Sequence, residues 1–304
     1  QLFARIEETM GHVLPPATLF KYPTIAQIAG LINDESMEDS TSSSLLIPLR
    51  ASGNKAPLFC LHGGGAHVFF YRGLSKYLSE NQPVYSLQPP GLDGKAPRHQ
   101  SIESMAAHYI EEIKAVQATG PYHILGTCFS NAVALEMANQ LRIKGETVAR
   151  LFIIDSAPVH LFGDDETGKS KTFSRFFDML KRGDFNRIGN KVLRRFNADT
   201  KTTTVEVPTN ESESEKNLRL TIESLNRLYA TYHWKPFDGK IYFIRSSEFQ
   251  NRSDKKYHLT QWKNLAKGGL EVHVVPGHHT TLFEEPEVAG LSSKNAACLE
   301  ATTS

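Results

Sequence analysis

Cysteine is scarce in this sequence and long apolar runs are missing, and each shortage removes a class of protein. Three cysteines, Cys60, Cys128 and Cys298, are spread over 304 residues. Odd in number and far apart, they read neither as a disulfide framework nor as a metal-ligand spacing. Their scarcity suits a reducing cytosol, where Cys128 persists as a thiol, so the expected location is cytoplasmic. Net charge is nearly absent: 34 Lys and Arg against 33 Asp and Glu leave +1. Nucleic acid is offered no basic surface, and there is no acidic tail. Apolar residues make up 40% of the chain, but no run approaches the ~20 residues that span a bilayer. The opening QLFARIEETMGHV is an amphipathic, acid-bearing helix without the cationic start or apolar core of a signal peptide.

The clearest break is EDSTSSS at 38–44, a serine-rich linker. It separates a helical piece over 1–36, too short to hold its own core, from a large domain beginning at 46, with the linker spanning 37–45. In the large domain, apolar β-type runs alternate with helical patterns. The runs are PLFCLHG from 57, VYSLQ from 84, YHILGT from 122, ARLFIID from 149, KIYFIRS from 240 and EVHVVPG from 271. Helical patterns fall near 68–80, 101–118, 129–145, 219–233 and 284–300. This alternation predicts a mostly parallel sheet flanked by helices on both faces. Between Ser156 and Lys240 the chain spends roughly eighty residues off the sheet, far more than an ordinary connection. The segment, about 160–234, is expected to form a lid, helical at both ends, with 200–216 as its least ordered part.

Ligands of open α/β sheets sit beyond the strand carboxyl ends, and three candidate residues fall there. In ILGTCFSNAVALEMA, a strand turns sharply at Gly126 and becomes a helix at the sequence Gly126-Thr127-Cys128-Phe129-Ser130. That is the pattern of a nucleophile elbow, with cysteine as the nucleophile. Asp155 closes ARLFIID, and His279 follows EVHVVPG. Taken singly, each has an ordinary reading: a buried thiol in a turn, a capping aspartate, a solvated histidine. Together they follow the nucleophile–acid–histidine order of the α/β-hydrolase fold. His278 and Glu248 remain alternatives for the base and the acid. The helix N-terminus at Cys128 favours thiolate. The Phe129 N–H and the glycine-rich turn HGGGAHVFFY, from 62, are candidate oxyanion donors.

From Leu46 onward the chain resembles the type I thioesterase domains that end nonribosomal peptide synthetases and polyketide synthases. The matching segments are CLHGGGAHVFFYRGLSKYL, VYSLQPPGLDG, GPYHILGTCFSNAVALEMANQLRIKGE, VARLFIIDSAP and GHHTTLFEEPEV. The resemblance implies an α/β-hydrolase fold over 46–304. It selects Asp155 over Glu248 and, with Pro286 as anchor, His279 over His278, and it assigns Gly64 as the second oxyanion donor. Residues 1–36 resemble the second half of a peptidyl or acyl carrier domain whose phosphopantetheine-bearing serine would lie upstream of Gln1. The implied function is release of an acyl or peptidyl chain, delivered as a thioester by that carrier, through an acyl-Cys128 intermediate, by water or by ring closure. The alternatives are a standalone esterase and a non-catalytic acyl-holding domain. No metal, resident cofactor, nucleic acid or membrane is expected, and an excised domain would be monomeric. Two departures stand out: cysteine replaces the usual serine, and Ser130 replaces the second elbow glycine.

Overall fold

The structure is a computed structural model that describes residues 2–14, 18–33, 44–92, 94, 98–156, 158, 212–250 and 255–301. Contacts divide the chain into two units, Gln1–His160 with Ser212–Ser304, and Leu161–Glu211. The second unit, with the expected first helical part of the lid, lies outside the described residues.

The first unit is built on a seven-stranded sheet: β1 Leu46–Arg50, β2 Leu58–Leu61, β3 Val84–Leu87, β4 Tyr122–Thr127, β5 Val148–Ile154, β6 Ile241–Ser246 and β7 Leu270–Val275. The strand order is β1-β3-β2-β4-β5-β6-β7. Only β1 is antiparallel, to β3; the other pairs are parallel. β2 and β6 are buried along their whole lengths, which explains the apolar run of β2 and of the first four residues of β6. Alternate side chains enter two cores. Phe59, Ile124, Ile153 and Phe243 pack on one face of the sheet. Cys60, Leu125, Phe152 and Ile244 pack on the other. Full burial of such a side chain stabilises the fold by about 1.5–3 kcal/mol.

β1 and the helix Lys255–Leu265 were not foreseen from sequence. β1 is five residues long and contains Pro48, an imino acid confined to sheet edges because it cannot donate to the ladder. The helix reads KKYHLTQWKNL, mostly polar, and is anchored by the fully buried Trp262. The helix expected near 219–233 runs instead over Glu213–Thr231. Its start is set by a capping box: Ser212 accepts from the Glu215 N–H while Glu215 accepts from the Ser212 N–H. Residues 212–216 are therefore a cap and first turn rather than loose chain, which corrects that part of the expectation. Residues 200–211 lie outside the described residues.

Three helices, Leu2–Met10, Thr18–Lys21 and Ile25–Asn33, make up the front piece. Ile6, Ile28 and Leu31 are buried, and the piece also touches the sheet domain. Phe20 packs on Ile47 and Val68 and stacks on Phe69 with ring centroids 5.1 Å apart. The Glu7 carboxylate accepts the Ser214 N–H at 3.2 Å and the Ser214 hydroxyl, an anion placed at the positive end of the Glu213–Thr231 helix. Among the described residues no helix is long and apolar enough to cross a membrane.

Candidate active site

The turn between β4 and the helix Ser130–Ile143 forces Cys128 to a φ of 52°. That region is uncommon for a residue with a Cβ, and it presents the thiol at the sheet's carboxyl edge. Gly126 makes the turn possible. A Cβ there would come within 2.8 Å of the Ser130 carbonyl and 2.9 Å of the Ala134 Cβ. Ser130 is fully buried. Its hydroxyl accepts the Thr127 N–H at 3.0 Å and reaches the carbonyls of Thr127 and Leu61. A polar side chain thus fits where a glycine was expected, because its hydrogen bonds are met by the turn itself and by the Leu61 carbonyl at the end of β2.

Asp155, also left-handed at φ 48°, follows β5 directly. Its buried carboxylate accepts the Ser246 N–H at 2.9 Å, the Ser246 hydroxyl at 2.9 and 3.1 Å, and His279 Nδ1 at 3.2 Å. The same imidazole is hydrogen-bonded to the Cys128 sulfur. The two rivals are occupied with each other. His278 Nδ1 pairs with Glu248 Oε2 at 3.0 Å on the surface, with side chains 65% and 51% exposed. The structure therefore brings Cys128, His279 and Asp155 together and leaves His278 and Glu248 outside.

Two backbone N–H groups, from Phe129 and Gly64, also point at the sulfur. A Cβ on Gly64 would lie 3.8 Å from Cys128 Sγ, so the glycine keeps its amide close to the nucleophile. The preceding His62 N–H bonds the Leu87 carbonyl at 3.0 Å, and Tyr71 donates to the Leu61 carbonyl at 2.7 Å, which fixes the strand end that bears this loop.

Burial disfavours a charged sulfur, yet the hydrogen bond and charge of His279, with the Phe129 and Gly64 amides, hold the Cys128 thiol below its ordinary range. Burial likewise opposes an imidazolium, but Asp155 and Cys128 outweigh it and push His279 up to about 10. Both directions favour the thiolate–imidazolium form of the pair. Cys60 makes the contrast: fully buried in β2 with no such partners, its thiol is pushed upward by burial and is inert.

Sequence reasoning missed the residues that brace this arrangement. Asn131 donates to the Ile154 carbonyl at 3.1 Å and to Ser156 Oγ at 2.6 Å, and Ser156 donates to the Cys128 carbonyl at 3.3 Å. Ser246 braces Asp155 from the neighbouring strand. Only tertiary pairing reveals them, since an asparagine or serine at a strand end carries no signal of its own. A groove of about 400 Å³ lined by Arg98, Gln100 and Arg227 includes none of these residues.

The family profile of the thioesterase domain matches residues 56–295. The chain belongs to that family. It is 31% identical over 291 residues to the malpibaldin synthetase of Mortierella alpina, covering 93% of this chain and 5% of that protein. It is 31% identical over 306 residues to a dimodular nonribosomal peptide synthase of Bacillus subtilis, covering 99% and 13%. The chain thus spans a small fraction of the curated relatives it matches. Among solved structures, a four-domain nonribosomal peptide synthetase bound to AMP and glycine aligns with a TM-score of 0.69 at 24% identity, over 99% of this chain and 23% of that one. The NocB thioesterase domain of the nocardicin cluster aligns at 0.63 and 20% identity, over 84% and 99%. The thioesterase domain has the α/β-hydrolase fold.

Proposed function

We propose that this domain releases a peptidyl or acyl chain from a phosphopantetheinyl carrier through an acyl-Cys128 intermediate. The observation that carries the reading is the sulfur's set of partners: one imidazole, itself held by Asp155, and two backbone N–H groups. In the first step the Cys128 thiolate attacks the carrier thioester carbonyl. The oxyanion is held by the N–H groups of Gly64 and Phe129, and the C–S bond to pantetheine breaks. The leaving thiolate takes the proton from the His279 imidazolium. In the second step His279 removes a proton from water, or from a hydroxyl or amine of the chain itself, as that group attacks the acyl carbonyl. The C–S bond to Cys128 breaks, the thiolate is regenerated beside the imidazolium, and Asp155 holds the imidazole in the required tautomer. The release product is thus an acid or a ring. Residues 1–36 would be the C-terminal part of the delivering carrier domain, and residues about 160–234 the lid over the acyl chain. Cysteine suits such a role, because transfer between two thioesters is close to thermoneutral and the acyl group stays activated for capture.

Acyl N-acetylcysteamine thioesters, followed by intact-protein mass, test the reading. The expected result is a mass increase of one acyl group, mapping to Cys128 and absent from Cys128→Ala. Turnover that persists in Cys128→Ala would remove Cys128 as the nucleophile, and labelling of Cys128 by acyl probes no faster than an ordinary free thiol would leave an acyl-holding domain as the better account.

A further inference from the structure

A second Cys–His–carboxylate group lies away from the elbow. β7 places Glu271 and His273 on one face of the sheet's edge, and the C-terminal helix Glu287–Glu300 places Cys298 over them. His273 Nε2 lies 2.8 Å from Glu271 Oε1 and 3.4 Å from Cys298 Sγ, and the three donor atoms fall within 4.8 Å of one another. This group cannot act as a second triad. Carboxylate and thiol both meet the same ring nitrogen, whereas a relay needs them on opposite nitrogens. Three unlike donors converging on one point is chelate geometry instead.

We propose that Glu271, His273 and Cys298 form a binding site for a borderline-soft divalent ion of the Zn²⁺ type, with water in the fourth position. Ligand bonds of about 2.0–2.3 Å at tetrahedral angles need donor–donor separations of about 3.3–3.6 Å. The Cys298–His273 spacing already meets this, and the Glu271–His273 spacing needs to open by about half an ångström. Thiolate with imidazole selects Zn²⁺ over Mg²⁺ or Ca²⁺. On binding, the Cys298 thiol releases its proton to solvent, and the neutral imidazole keeps one proton on Nδ1, freeing Nε2. The surroundings orient the donors. Lys240 Nζ occupies the outer oxygen of Glu271, Oε2, at 2.6 Å, which leaves Oε1 turned toward the ion. Arg150 Nε holds the Cys298 carbonyl at 2.6 Å. These two cations oppose the ion, and the thiolate and carboxylate offset its two charges. The ion would tie β7 to the last helix across the 25-residue separation of His273 and Cys298, and His279 lies inside that closed segment.

Co²⁺ titration of the full chain under reducing conditions tests the site. One equivalent should give sulfur-to-cobalt charge-transfer absorption, displaced by Zn²⁺. The band should persist in Cys128→Ala, vanish in Cys298→Ser, and require at least about tenfold more Co²⁺ in His273→Ala. Zn²⁺ should also raise the melting temperature of the wild-type chain and not that of His273→Ala. If Cys298→Ser fails to fold, the partly exposed His273→Ala gives the same discrimination. Absence of the band up to millimolar Co²⁺, or a band that survives Cys298→Ser and disappears with Cys128, overturns the proposal.

Discussion

Removal of the His279 imidazole should move the reactivity of Cys128 along the pH axis by an amount the site geometry bounds. Burial opposes ionisation of the sulfur, and the hydrogen bond and charge of His279 with the amides of Phe129 and Gly64 favour it and lower the thiol pKa. A hydrogen bond to a charged group contributes about 1.5–3 kcal/mol. One pH unit corresponds to about 1.4 kcal/mol. His279→Ala should therefore raise the midpoint of thiol ionisation by about one to two pH units from the hydrogen bond alone, with burial then less opposed. The sign follows from the direction of the wild-type shift. A depressed thiol is reactive above its own midpoint, and the reactivity is lost as pH falls through that midpoint, below the ordinary thiol range. Rates of iodoacetamide alkylation, measured from acid to pH about 10 with the adduct mapped to Cys128, supply both curves. His279 is pushed up to about 10, so the imidazolium should persist across most of this window and the wild-type profile should stay flat above its midpoint. Coincident profiles for wild type and His279→Ala would refute the ion pair.

Gly126→Ala should destabilise the domain by about 1–3 kcal/mol, read as a lower denaturant midpoint, because the new methyl meets backbone and Ala134 at under 3 Å; an unchanged midpoint would mean the elbow relaxes freely. Glu136→Ala should cost about 1–3 kcal/mol by leaving a buried hydroxyl unpaired, since the Glu136 carboxylate accepts from Tyr232 at 2.9 Å and pairs with Lys235 at 3.2 Å; full stability in the variant would show that water replaces it. Cys128→Ser should still acylate but accumulate its more stable oxyester or shift toward hydrolysis, whereas Cys128→Ala should form no acyl enzyme. A serine variant that matches the cysteine enzyme in rate and product removes any special role for sulfur.

Central strands such as β2, β4 and β5 were legible because they are covered on both faces and read as apolar runs, and the edge strand β7, LEVHVV, was legible from its valines. β1 was not, since an edge strand five residues long with a proline has little to distinguish it from a loop. The first turn of the Glu213–Thr231 helix was misread for a different reason: SESE looks like polar linker until Ser212 and Glu215 are seen as reciprocal caps. The nucleophile was legible because an elbow is local, with Gly126, Cys128 and the helix all inside one short stretch. The choice of His279 over His278 needed a family pattern. In space it follows from the Glu248 contact that takes His278 to the surface.

The two cysteine–histidine–carboxylate groups show why residue types alone do not specify chemistry. At the elbow, Asp155 sits on Nδ1 of His279 and the Cys128 thiol is hydrogen-bonded to the same imidazole, the set of partners through which a proton relay works when each ring nitrogen has a different role. At the sheet edge, Glu271 and Cys298 share Nε2 of His273, so the ring offers one proton or one lone pair to both and relays nothing. The first group also meets two backbone N–H groups at the sulfur; the thiol of the second is buried beneath the last helix, with Arg150 on its own carbonyl. Neither difference is written in the identity of the residues. Both come from where the strand ends. His279 lies in the loop past the carboxyl end of β7, where a side chain can turn to face another element. Glu271 and His273 lie within the strand, where the alternation of the pleat points them the same way, and two donors side by side on one strand face converge on a third rather than passing a proton along.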